Sequence, residues 1–138
     1  MTATAAAPLA PSSRAAIISG WAFSGLVIAF LLMDAGMKLI AHPMVAQTMV
    51  QLGWSPETAR PLGIVLLACT ALYAIPRTSV LGAVLLTAYL GGAVATHVRV
   101  DSPLFSHVLF GVYIAIMAWG GLWLRSPRLR AVFPLRQG

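Results

Sequence analysis

Charge is what this sequence has least of. Of 138 residues nine are basic and three acidic, 9% in all, against about 25% in ordinary soluble domains. Asp34, Glu57 and Asp101 are the entire acidic complement. No paired catalytic carboxylates appear, nor a Gly-rich phosphate loop, an HExxH metal motif or a nucleophile elbow. Cys69 stands alone, which excludes an intrachain disulfide and a cysteine-based metal cage. Two helical turns before Ile75 and remote from any histidine, it is expected to pack. The three histidines, His42, His97 and His107, form no HxH or HxxxH pair, so neither metal nor axial haem is expected.

What fills the space is hydrocarbon. The chain is 59% hydrophobic with mean hydropathy +0.88, a composition that points to one compact domain in a lipid bilayer. The pI near 10.8 does not indicate nucleic acid, because the basic residues flank apolar runs instead of sharing a polar face. They are read as topology-setting charges.

The opening MTATAAAPLAPSSR has no apolar periodicity, and residues 1–15 are expected to be a disordered lead-in. The apolar run after Arg14 extends well beyond a signal-peptide core of roughly 7–15 residues, so it reads as an uncleaved first span. Charges, prolines and turn residues delimit membrane helices at about 17–40, 56–75, 78–96 and 104–124. The first, at 1.5 Å per residue, is roughly 36 Å long, enough to cross a core of ~30 Å. A short interfacial helix is expected at 43–52, where Pro43 suits the first helical position and Gly53 a C-terminal stop. The expected architecture is therefore an all-α integral membrane four-helix bundle. Small residues recur on the third helix as Ala83/Thr87/Gly91/Ala95 and Ala88/Gly92/Thr96, which predicts that this helix is the packing centre.

With four spans the termini share one side of the membrane with the Pro76-Arg77 turn. That side holds Arg14, Arg77, Arg125, Arg128, Arg130 and Arg136; the other has Arg60 and Arg99, with Lys38 at its edge. The excess predicts cytoplasmic termini. The same drawing gathers every acid and every histidine at the opposite end of the bundle. Asp34 in hydrocarbon costs roughly 2.5–3.5 kcal/mol unless it is paired or solvated. Lys38, four residues on, can satisfy it as a self-contained ion pair, or the pair can form one wall of a working site. His97 sits where a helix dipole favours a cation, His42 reads as surface, and His107 lies one turn inside the fourth helix. Candidate ligand-binding residues are Asp34, Lys38, His97, Arg99 and His107, with Tyr89, Tyr113 and Asp101 as secondary candidates.

The runs IPRT (75–78), LGGAVATHVRV (90–100) and PLFSHVLF (103–110), together with Asp34, Gly36 and the Lys38-Leu39 pair, resemble the DoxX-like family of small four-helix bacterial membrane proteins. The resemblance implies a four-helix membrane domain over 16–125, a basic cytoplasmic tail over 126–138, and a place in the bacterial cytoplasmic membrane. Members often carry a glutamate in the second helix, where this chain has Val65, Leu66 and Leu67. The family takes its name from a subunit linked to sulfur and quinone redox chemistry. It thus implies an accessory or anchoring subunit of a membrane redox system, with redox-complex subunits as partners, homo-oligomerisation as an option, and a quinone or other small ligand at the polar end. Imidazole, guanidinium and ammonium groups there could hydrogen-bond a quinone carbonyl. Two alternatives stand beside this: a small-solute or proton-coupled transporter, and a membrane enzyme using Asp34 or His107 as acid or base on a hydrophobic substrate.

Overall fold

A computed structural model describes residues 8–134. Their regular structure is entirely helical: α1 Arg14–Leu39, α2 Pro43–Gln51, a 3₁₀ turn Pro56–Thr58, α3 Ala59–Ala74, α4 Ser79–Arg99, a π-helical turn Leu104–Val108, α5 Phe110–Arg125 and α6 Pro127–Arg130. Of the expected lead-in, residues 1–7 lie outside the described part and residues 8–13 carry no regular structure. Arg136 and the end of the expected tail also lie outside it.

Local chemistry accounts for the boundaries. The Ser13 hydroxyl accepts the Ala16 N–H at 3.1 Å, so α1 begins at Arg14, ahead of the purely apolar run. It ends where Ala41 turns left-handed (φ 51°) before Pro43. His42, expected to be a plain surface residue, caps α2: its Nδ1 accepts the Met44 N–H at 3.2 Å. The third long helix runs to Arg99, three residues past its expected end. Nothing breaks it before Asp101 (φ 52°) and Pro103, and the cationic Arg99 suits a helix C-terminus. The fourth opens differently from expectation. Val108 N–H bonds to the Pro103 carbonyl and Leu109 N–H to that of Leu104, a five-residue spacing that inserts a π turn before α5.

Among the described residues, three helices are long and apolar enough to cross a membrane: α1, α4, and the π turn with α5. The helix expected over 56–75 is shorter. Pro56–Thr58 is a 3₁₀ turn, and the 16 residues of α3 span about 24 Å.

α1, α3, α4 and α5 form a closed ring in which α1 packs on α3 and α5, and α4 completes the circuit between those two. All four point side chains into one core, among them Leu31, Leu66, Tyr73, Leu86 and Leu122. Large apolar side chains such as Leu26, Ile64 and Ile116 face outward, as a bilayer solvent allows.

The expectation that α4 is the packing centre is corrected: α1 makes the most extensive helix contacts. Below Ala83 the small stripes of α4 are largely exposed or half-exposed, and a Cβ on Gly91 or Gly92 would meet nothing within 4 Å. The close approach lies between α1 and α5. There a Cβ on Gly20 would sit 2.7 Å from the Gly121 carbonyl oxygen, and one on Gly121 2.6 Å from Ser24 Oγ. Beside this contact the fully buried Tyr73 hydroxyl donates to the Ala118 carbonyl (2.8 Å). Its one proton is thereby used, so the Ser24 hydroxyl, 3.0 Å away, donates to it. α1, α3 and α5 are tied at one point. Arg125 closes this region with its guanidinium 3.9 Å over the Trp21 ring.

Candidate functional site

At the end of the bundle covered by α2, the ring of helices opens into a cavity of about 520 Å³. Its walls are mostly apolar, with Phe30 and Phe110 meeting edge-to-face at 5.2 Å between ring centres. Into this apolar space project Asp34 and Lys38 from α1, Tyr89 and His97 from α4, and His107 from the π turn.

Each is positioned by its local structure. Asp34 and Lys38, four residues apart on α1, share one face and form an ion pair, the only one among the described residues. Lys38 is the sole lysine of the chain, and both partners are half-buried. Ala35, between them, is fully buried, which places the pair just beside the α1 packing face. His97 occupies the last turn of α4, and its Nδ1 lies 3.0 Å from Ser102 Oγ. The Nδ1 of His107 lies 2.7 Å from Ser106 Oγ. Holding both rings by Nδ1 leaves Nε2 of each for a ligand or water. The rings meet edge-to-face with centres 5.8 Å apart at 64°. The π turn that carries His107 packs against α4.

Three sequence candidates fall elsewhere. Arg99 Nη2 donates to the Leu52 carbonyl at 2.5 Å and its guanidinium lies against Gly53, whose φ of +74° gives it room. It therefore ties the C-terminus of α2 to α4 and stays outside the cavity. Asp101 is exposed in the left-handed turn after α4, and Tyr113 is exposed on the outer face of α5. Sequence reasoning missed the cover: α2 and the residues after it contribute Thr48, Met49, Leu52 and Trp54 to the cavity wall. Its signal was present in Val45, Met49 and Leu52, whose helical spacing makes the buried face of α2. Among the described residues, no three His, Cys, Asp or Glu side chains converge as a metal would require. Cys69 is buried in the core, away from the histidines.

Fold and site together define an integral membrane helical bundle with one polar cavity at an end. The model of the DoxX-like family matches residues 22–121, most of the chain including every polar residue of the cavity, and the protein belongs to that family. No curated protein and no solved structure matched the chain.

Proposed function

We propose that this protein is an accessory or anchoring subunit of a bacterial membrane redox system, and that the cavity under α2 receives the head of a quinone or similar small polar-headed ligand. One observation carries the reading. In a chain with so few charges, an ammonium, a carboxylate, two imidazoles and a phenol line a single cavity while most of its wall is hydrocarbon. Pockets of this kind bury most of a ligand against apolar walls and orient it by a few polar groups. The Tyr89 hydroxyl and the Lys38 ammonium are donors suited to carbonyl oxygens, and Nε2 of each histidine donates in the tautomer whose Nδ1 accepts from its serine. Asp34 holds the Lys38 side chain in place as its ion-pair partner. The topology that accompanies the reading has four passes, α3 crossing with its 3₁₀ turn, and both termini in the cytoplasm of a cell with an inner membrane. The six arginines at the termini end support that orientation.

A thermal-unfolding titration of the purified protein with a water-soluble benzoquinone tests it. The midpoint should rise with ligand concentration, as linkage requires, and His107→Ala should abolish the rise while retaining the unliganded midpoint. An unmutated protein whose midpoint does not move at any concentration would remove the quinone reading. A reporter fused to either terminus, active only in the cytoplasm, checks the orientation.

A further inference from the structure

The ion pair of the polar cavity is lopsided. The Lys38 side chain is 12% exposed and the Asp34 side chain 31%, so the carboxylate is the more open of the two. The packing of α1 on α3 is the reason. A Cβ on Gly63 of α3 would lie 2.8 Å from Lys38 Cβ and 3.2 Å from the Ala35 carbonyl oxygen, so the lysine stem is wedged where the two helices meet. Asp34 lies one turn earlier on the same face of α1, between Lys38 and Phe30, and all three line the cavity. Only one oxygen of the carboxylate is engaged. Oδ1 accepts from Lys38 Nζ, whereas Oδ2 has no hydrogen-bond partner among the described residues and is not sealed off in the protein.

In a wall that is mostly hydrocarbon, such an oxygen calls for a hydrogen-bond donor, and a bond to a carboxylate is roughly twice as strong as one between neutral groups. The other polar groups of the cavity do not discriminate between ligands that donate and ligands that accept. Each imidazole offers Nε2 in either role according to its tautomer, and the Tyr89 hydroxyl does both. The Lys38 ammonium only donates, but it is directed to Asp34 and is the less exposed of the pair. The carboxylate of an ion pair only accepts. A quinone head, with carbonyl oxygens and no donor, sets lone pairs against Asp34 and leaves Oδ2 unpaired. The matching hydroquinone places an O–H there. Sites built to bond a ligand hydroxyl reject the analogue that lacks it, because their own polar group is then left without a partner.

We infer that the cavity holds the reduced, hydroxyl-bearing form of its ligand in preference to the oxidised form, and that Asp34 makes the selection by accepting a hydrogen bond from a ligand hydroxyl at Oδ2. The inference rests on the proposed quinone-head role of the cavity, and it adds the redox form that the cavity favours and the residue that decides it. A tenfold preference for the reduced form raises the potential of the bound two-electron couple by about 30 mV.

The test compares trimethyl-1,4-benzoquinone with trimethylhydroquinone, one ring in two oxidation states, on the full-length protein in one detergent and without oxygen. Calorimetric titration should give a hydroquinone dissociation constant at least about tenfold below that of the quinone. Asp34→Asn keeps an oxygen for Lys38 and offers the cavity an amide N–H donor in place of Oδ2, so the ratio should fall below about threefold or reverse. Asp34→Asn combined with Lys38→Met leaves no ammonium unpaired and should show the same fall, which keeps the test open if the single variant does not fold. The unliganded unfolding midpoint verifies the fold of each. A wild type that binds the quinone as tightly as the hydroquinone overturns the inference while the cavity reading survives. A hydroquinone preference undiminished in the variants also overturns it, since another group would then be the selector. If neither probe binds wild type, the cavity reading and the inference fall together.

Discussion

Replacing Tyr73 by phenylalanine removes one oxygen from the point where three helices are tied, and the structure sets the cost. The ring is fully buried and Phe keeps its volume, so the cavity contribution is small. Two hydrogen bonds vanish, the donation to the Ala118 carbonyl at 2.8 Å and the acceptance from Ser24 at 3.0 Å. Side-chain hydrogen bonds between membrane helices average about 0.6 kcal/mol, giving about 1.2 kcal/mol for the pair. A buried group left without a partner raises this toward about 1–3 kcal/mol, but relief is available. A mid-helix carbonyl keeps its backbone partner, and the freed Ser24 hydroxyl can turn to the carbonyl four residues earlier. The expected loss is therefore about 1–2 kcal/mol. Ser24→Ala deletes one bond and strands nothing, since Tyr73 retains its own acceptor, and should cost about 0.6 kcal/mol. Reversible unfolding by SDS in mixed micelles measures both, and the double variant should show a coupling near 0.6 kcal/mol. A Tyr73→Phe protein as stable as wild type, with no coupling to Ser24, would refute the three-helix tie.

Gly121→Ala should destabilise by about 1–3 kcal/mol, since its Cβ would lie 2.6 Å from Ser24 Oγ and force α1 and α5 apart. Gly25→Ala, with nothing within 4 Å, should be neutral or stabilising by up to about 1 kcal/mol in the same SDS titration. Asp34→Asn should cost about 1–3 kcal/mol by leaving the half-buried Lys38 ammonium without its counter-charge, and Asp34→Asn combined with Lys38→Met should recover most of that loss. A double variant less stable than the single one would show that the pair does more than satisfy itself. Arg99→Ala should free the C-terminus of α2, seen as faster amide hydrogen exchange over Leu52–Trp54 with the exchange of α1 and α5 unchanged.

Much of the architecture is legible without coordinates because the bilayer imposes it. Apolar runs bounded by Arg14, Pro43, Pro76 and Pro103 mark the four bundle helices, three of them long enough to span, and the short α2 to within a few residues. The places where the boundaries moved have local causes that composition does not display: a serine cap at Ser13, the left-handed Asp101 that lets α4 reach Arg99, and the π turn before α5. The choice of packing helix was misjudged for a related reason. A stripe of small residues marks where a neighbour could come close, and in α4 it borders an open groove instead.

By itself the sequence determined that this is a membrane bundle of the DoxX-like type and that its acids and histidines gather at one end, since charge is too costly in hydrocarbon to be placed at random. Only the tertiary structure decided which of those residues meet. Asp34, Lys38, Tyr89, His97 and His107 surround one cavity, while Arg99 bonds a backbone carbonyl and Asp101 and Tyr113 face outward. The physical reason is that a helix bathed in lipid is apolar on its inner and outer faces alike. Periodicity then carries no mark of which side faces in, and rotation is set by backbone contacts such as Gly20 against Gly121, which exist only once the helices have packed.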